Sequence, residues 1–425
     1  MNPFKEKAQS VENSIRDWKS LYPKSYDKNE VDPYTKTRII LMNGTEFEAN
    51  WFSHQFARHV SDNDLKRDLA LCRYVEKQQQ LKISLLKPEN ESVLEHTIGY
   101  EQLAVDLTAE LAKREKDKNV KNALDFALLE DFDHLYRYAD LLEMDQGILA
   151  ERLVGCYTEI MPARPTIAHH RFPTDNVRRS INAKKADVST VLATLIITAA
   201  EQQTMNYYMN VTPFGKNELA RKLYEEIAMV EEEHVTQYES LIDPNATWME
   251  MMLWHEYAEC YLYWSCYKTE TDDCIKKLWA EHLDMEISHL HQAVKLLNKY
   301  EKKDYEQVIP NGEFPEPLSL HENKDYVRKI LKNTVQYTSC GENYYNLSET
   351  PEDCKFFSHQ DNINKSGKCV PSHMVIEEYI EQNGADYRYQ EGNHPIPELE
   401  ERSKDNIKVG RVKNATEEVP FFENN

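Results

Sequence analysis

Three histidines in the chain each follow an acid by three residues, and that acid follows another by thirty. They are Glu101…Asp131-x-x-His134, Glu201…Glu231-x-x-His234 and Glu256…Glu286-x-x-His289. Acids number 73 of 425 residues and histidines 15, so random placement gives about 0.4 histidines with acids at both offsets. A fourth match, His394 with Glu391 and Asp361, lies in Glu391-Gly-Asn-His-Pro, where no helical period surrounds it, and reads as accidental. A helical hairpin explains the thirty-residue step. At about 1.5 Å per residue, a run of about 15 residues to a turn and back returns both acids to one height, roughly 22 Å from the turn. An acid on one helix with an acid-x-x-His on its partner is half of a dinuclear metal site in a bundle of four helices.

The surrounding residues place these acids on buried stripes. Asp131 has Leu124, Ala127, Leu128, Leu135 and Tyr138 at helical offsets, Glu231 has Tyr224, Ile227, Val235 and Tyr238, and Glu286 has Trp279, Leu283, Leu290 and Ala293. Glu101, Glu201 and Glu256 sit in similar settings. No Arg or Lys stands four residues from any of the six acids. An isolated buried carboxylate is costly, so these acids require a partner or a metal. The spacing predicts three hairpins: 91–116 with 119–143, 187–210 with 216–242, and 247–269 with 272–299.

Composition narrows the function. Gly is low at 11 residues, which favours an α-rich protein. A formal net charge of −22 repels phosphate backbones and anionic membranes, which argues against a nucleic-acid partner. No apolar leader opens the chain and no stretch is long and apolar enough to span a bilayer, so no membrane partner is expected. The eight cysteines form no Cys-x-x-Cys pair, which argues against a disulfide framework and predicts a cytoplasmic location. Cys340, Cys354, His359 and Cys369 are spaced too widely for a standard zinc pattern.

Three regions are expected. Residues 1–88 read as an N-terminal extension with one helix at about 61–86, and 89–300 as the helical domain, interrupted by an irregular insert at about 146–186. Residues 301–425 read as a polar, loop-rich extension with short helices at about 322–336 and 371–383. In the insert, His169, His170 and Arg171 read as a solvated loop.

The repeats resemble the ferritin-like superfamily, particularly rubrerythrin and related di-iron or di-manganese carboxylate proteins. The resemblance covers about 90–300, with Asp131 in place of Glu in the first copy and Glu259 after Glu256 as a further likeness to rubrerythrin. It implies an all-α, ferritin-like four-helix bundle with a long crossover, here with an additional hairpin and irregular terminal extensions. Tyr138 and Tyr238 stand four residues after their histidines, where the ribonucleotide reductase small subunit carries a radical tyrosine; a core tyrosine is the commoner explanation.

Such a bundle relates its two hairpins by a two-fold axis, and the insert at 146–186 is a suitable crossover between the first two. The preferred metal ligands are therefore Glu101, Asp131, His134, Glu201, Glu231 and His234. A site joining hairpins one and three, with Glu256, Glu259, Glu286 and His289, is the runner-up. The resemblance implies two metal ions, iron and/or manganese, and an oxidoreductase acting on dioxygen, peroxide or a small molecule. The four-cysteine rubredoxin module of rubrerythrin is missing, so redox cycling calls for an external electron donor or disproportionation. A metal-storage protein and a metal-free scaffold are the alternatives.

Overall fold

The computed structural model describes residues 1–165, 169–365, 369–406 and 409. Positions 166–168 of the insert, and 366–368, 407–408 and 410–425 of the C-terminal region, lie outside the described residues. The described chain is all-α apart from one short antiparallel hairpin, β1 (Tyr337–Cys340) and β2 (Asn343–Asn346). Its helices are α1 (Pro33–Arg58), α2 (Asn63–Ser84), α3 (Val93–Arg114), α4 (Lys118–Gln146), the single turn α5 (Ala150–Leu153), α6 (Val188–Val211), α7 (Glu218–Glu239), α8 (Trp248–Thr269), α9 (Asp273–Glu301), α10 (Lys324–Thr334), α11 (Phe356–Ile363) and α12 (Pro371–Asn383). Among the described residues, no helix is long and apolar enough to cross a membrane.

Side-chain caps start the site-bearing helices. Ser92 with Glu95 closes a capping box on α3, and Thr247 with Glu250 does so on α8. Asp62, Asp117 and Asp272 cap α2, α4 and α9 by accepting from two backbone amides each. The six helices of the three expected hairpins lie within three residues of their expected bounds.

The chain divides into two compact units. The first comprises Met1–Glu91, Ser180–Gln203 and Ile242–Leu320, and the second Ser92–Arg179, Thr204–Leu241 and His321–Asn425. The division falls inside α6.

In the first unit, the hairpin α1–α2 packs on the hairpin α8–α9, with α1 against α8 and α2 against α9. The expectation of an N-terminal extension with one helix is thus corrected, because residues 33–58 form a second long helix. Its face hides from a periodicity reading because polar residues share the interior with apolar ones. Thr35, Thr37, Arg38, Thr45, Glu46, Asn50 and Ser53 are buried alongside Ile39, Leu41 and Met42. The polar members find partners: Thr35 Oγ1 donates to Glu270 Oε1 at 2.5 Å, and Arg38 Nη2 donates to the Thr269 carbonyl at 2.9 Å. Gly44 permits a close helix approach, since a Cβ there would meet Gln203 Cβ at 2.7 Å and the Ala199 carbonyl oxygen at 3.3 Å. The stretch after α9 also belongs to this unit, where Tyr257 and Tyr261 donate to the carbonyls of Glu313 and Glu316 at 3.0 and 2.7 Å.

In the second unit, α4 packs on α3 and α7, while α10 and α12 pack on α4, and α12 also on α7. Residues 301–425 are therefore not one extension. Their first part joins the first unit, and the described remainder is fastened to α4. The fastening centres on the fully buried Arg137 of α4, which pairs with Asp405 Oδ1 at 3.3 Å and donates to the Ser372 carbonyl and to Asn406 Oδ1, each at 2.9 Å, while Asp133 on its own helix holds it at 2.9 Å.

Candidate metal centres

In the second unit, α3 carries Glu101, α4 carries Asp131 and His134, and α7 carries Glu231 and His234. All five are essentially inaccessible to solvent. The acid-x-x-His spacing puts each pair on one helical face, because residues three apart are neighbours on a helix. The Glu231 carboxylate lies between the two imidazoles. Nδ1 of His134 donates to its Oε1 at 3.1 Å and Nδ1 of His234 to its Oε2 at 3.0 Å. Asp131 Oδ1 is 3.3 Å from the same nitrogen of His234, and Tyr208 donates to Glu101. Oxygens or nitrogens of Glu101, His134 and Glu231 all lie within 4.8 Å of one another. Glu201, the remaining expected ligand, is buried on α6 in the part of that helix that falls in the first unit.

The orientation of His234 depends on a residue that spacing alone does not single out. Its Nε2 is bonded to Glu130 Oε2 at 2.6 Å, and Glu130 Oε1 accepts from Arg164 at 3.0 Å and Arg171 at 2.5 Å. With Nε2 tied up, Nδ1 is the nitrogen presented to the acids, the arrangement by which an outer carboxylate fixes a ligating imidazole. Burial would raise the Glu130 carboxyl, but the Arg171 guanidinium and neighbouring imidazoles hold it well below the ordinary range. Burial also opposes ionisation of Glu231, and the His234 charge with the two imidazole hydrogen bonds brings it down to about 2.

His169, His170 and Arg171 are buried, which corrects the solvated-loop expectation. The ring of His169 lies 5.9 Å from that of His134, and neither of its nitrogens has a hydrogen-bond partner among the described residues. Burial keeps this imidazole neutral, far below its ordinary pKa. Tyr138 stacks near Tyr208 and Tyr224 at 5.3 and 5.0 Å, and its hydroxyl has no hydrogen-bond partner among the described residues. A cavity of about 580 Å³ in this unit is lined by His170, Arg171, Glu226, Glu233 and Lys222, among others. Arg171 thus both faces that cavity and anchors Glu130.

In the first unit, hairpin α8–α9 brings Glu256, Glu259, Glu286 and His289 together, and the hairpin facing them is α1–α2. The runner-up pairing with hairpin one is corrected, since α3 and α4 belong to the second unit. The facing hairpin carries a fourth copy of the spacing, Glu46…Glu76-x-x-Gln79, with Gln in the histidine position. With Gln79 in the histidine position, this copy has no histidine to mark it, and acids thirty residues apart are too common by chance to single it out. The copies also recur 155 residues apart, pairing 46 with 201, 76 with 231, 79 with 234, 101 with 256, 131 with 286 and 134 with 289.

Gln79 Nε2 donates to Glu286 Oε1 at 2.5 Å and to Glu46 Oε1 at 3.2 Å, and Tyr263 also donates to Glu46. His289 Nδ1 donates to Glu286 Oε2 at 3.2 Å and faces Glu256 Oε2 at 4.0 Å. Burial, reinforced by mutual repulsion, raises the carboxyls of Glu46, Glu256 and Glu259 well above the usual range and lifts Glu76 to about 7. Burial opposes a charged His289, but Glu286 and its neighbours outweigh it and push the imidazole up to about 10.

These shifts share one sign. Each group holds its proton more tightly when folded than when unfolded, so folding stability falls as pH rises through the interval between the two pKa values. That interval runs from the ordinary 4.5 to about 7 for Glu76 and from 6.5 to about 10 for His289. The lowered Glu130 and Glu231 are ionised throughout this range and leave it unchanged. Between about pH 5 and pH 7 the buried neutral His169, His282 and His394 act in the opposite direction, so a net fall in the melting temperature of metal-free protein is expected from about pH 7 to pH 9, where His289 still titrates and they do not. Thermal melts in chelator across that range check it, and a flat or rising profile would refute it.

Cys340 and Cys354 approach each other, but their third neighbour is Asp175 rather than His359 or Cys369, and Asp175 already accepts from the Gly341 amide at 3.0 Å. Comparison with protein-family models, with curated proteins and with solved structures found no match, so no relative assigns a role to either cluster.

Proposed function

We propose that the protein is a metal carboxylate protein of ferritin-like four-helix design. In this reading its second unit uses Glu101, Asp131, His134, Glu231 and His234 to hold a dinuclear iron or manganese centre, which acts as an oxidoreductase on dioxygen, peroxide or a small molecule. The observation that carries the reading is the Glu231 carboxylate set between two imidazoles, each facing a different oxygen. With the neighbouring carboxylates, Glu231 and the two imidazoles would hold two cations by hard anionic oxygens and one imidazole each.

The donor chemistry fits such ions: hard carboxylate oxygens neutralise their charge, and two imidazoles, each giving up its Nδ1 proton on binding, suit iron or manganese. When bound, the pair would supply two-electron redox chemistry. The chain's own residues set the conditions. Glu130, held by Arg164 and Arg171, fixes which nitrogen of His234 faces inward. Tyr208 orients Glu101 by donating to it. The tyrosines 138, 208 and 224 keep water from this end of the cluster. The cavity bounded by His170, Arg171 and Glu226 sets a few charged groups in a mostly apolar wall, and Arg171 links it to the Glu130–His234 pair.

The test is metal analysis with turnover. Protein loaded with iron or manganese is expected to reduce or disproportionate peroxide, or to consume dioxygen with a reductant. Glu231→Ala is expected to lose the second unit's metal and at least about a hundredfold in rate, the magnitude typical of removing a metal-orienting group or more. Metal-loaded protein that turns over none of these oxidants would sink the redox assignment. Full metal retention in Glu231→Ala would sink the site.

A further inference from the structure

The first unit has the same helical plan as a ligand frame, but its two halves are chemically unequal. On the α1–α2 side, the position that carries imidazole in the other three copies is Gln79. Its amide nitrogen has no lone pair for a metal; it donates instead to Glu46 and Glu286 at 3.2 and 2.5 Å. Tyr263 donates to the same Glu46 oxygen. Glu46 Oε1 and Glu286 Oε1 are thus taken by neutral hydrogen-bond donors, while Glu46 Oε2 and the Gln79 amide oxygen have no hydrogen-bond partner among the described residues.

The α8–α9 side is the reverse. There donor atoms of Glu256 and His289 lie with one of Glu76 of α2 within 4.8 Å of one another, and Glu256, Glu259 and Glu286 form a second such group that shares Glu256. Glu259, 1% exposed, has neither carboxylate oxygen hydrogen-bonded among the described residues, and the same holds for one oxygen of Glu256 and one of Glu76. No Lys or Arg among the described residues forms an ion pair with Glu46, Glu76, Glu256, Glu259 or Glu286. Buried carboxylates without hydrogen bonds or counter-charge are costly, and a cation removes that cost. Glu259 has no counterpart in the second unit: 155 residues earlier the chain has Ala104. The first unit therefore trades an imidazole for an additional carboxylate.

We propose that the first unit binds a single hard divalent cation of the Mn²⁺ class, centred on Glu256, which its two groups of donors share, while Gln79 and Tyr263 tie up the oxygens of Glu46 and Glu286 that a second ion would need. Oxygen-rich donor sets suit Mg²⁺, Ca²⁺ and Mn²⁺, and the one imidazole favours Mn²⁺ among them. The inference rests on the first unit's residues and stands whether or not the second unit is a redox centre.

Mn²⁺ alone is the probe, added to metal-free full-length protein carrying Glu231→Ala and His234→Ala, which removes two of the second unit's five proposed ligands, Glu231 among them. One Mn²⁺ per chain is expected, with the six-line paramagnetic resonance spectrum of an isolated ion. Gln79→His is expected to admit a second ion and produce an exchange-coupled spectrum. Glu259→Gln is expected to weaken Mn²⁺ binding by about tenfold or more while raising the melting temperature in chelator, because a neutral amide replaces a buried carboxyl that has no hydrogen bond among the described residues. A residue that only supported the fold would move both readouts the same way. Two coupled ions without Gln79→His, or no bound Mn²⁺ in protein that melts cooperatively, would overturn the proposal.

Discussion

Replacing Glu130 with alanine is expected to cost about 3–5 kcal/mol of stability, the range for removing one partner of a buried ion pair. Two guanidiniums converge on this carboxylate, and both Arg164 and Arg171 are at most 1% exposed. Without it, Arg171 keeps Glu233 at 3.2 Å, but Arg164 keeps the carbonyl oxygens of Phe126 and Thr334 and no carboxylate within ion-pairing distance among the described residues. A second loss accompanies the first. His234 Nε2 loses its acceptor, so the ring is free to turn or change tautomer, and metal affinity in the second unit is expected to fall about 10–100-fold. Glu130→Gln separates the two effects, since it retains an acceptor for one arginine but removes the charge. Urea melts and metal titrations of both variants check this. Unchanged metal affinity in Glu130→Ala would restrict Glu130 to a structural role.

Removing metal is expected to have the other large effect. A ligand at about a thousand times its dissociation constant stabilises the folded state by about 4 kcal/mol. For units of this size that corresponds to roughly 10 °C in melting temperature. The raised carboxyls around Glu76 and the raised His289 add a pH dependence, because their protons compete with the cation. The gap between metal-loaded and chelated melts is therefore expected to widen from about pH 6 to pH 9. Calorimetry with and without chelator at both ends measures it, and a gap that narrows with pH would contradict the burial of these acids at a cation site.

The comparison of sequence with structure turns on particular residues. The histidine-bearing hairpins were legible because three signals coincide: a thirty-residue carboxylate step, a turn near its midpoint and an apolar stripe at helical offsets. Helix α1 was not legible, because Glu46 shares its buried face with Thr35, Arg38, Thr45 and Asn50, whose partners lie on α8 or follow it, or are backbone groups in α1 itself. A hydrophobic pattern does not register polar residues that are satisfied by distant parts of the chain. Glu130 was missed for a related reason. It adjoins Asp131 in sequence, but its role comes from Arg164 and Arg171, 34 and 41 residues away.

By itself, the sequence determined local matters: which segments are helices, where they turn, and that acids and histidines at these spacings share a face. Those follow from the helical period and from capping chemistry, which act within a few residues. Pairing of the hairpins was decided by the tertiary structure. The insert at 146–186 suggested partners by connection length alone, whereas the folded chain sets α8–α9 against α1–α2 in one unit and α7 against α4 in the other. Packing depends on the complementarity of whole faces, including Gly44 and the buried polar groups of α1, and no local spacing records it.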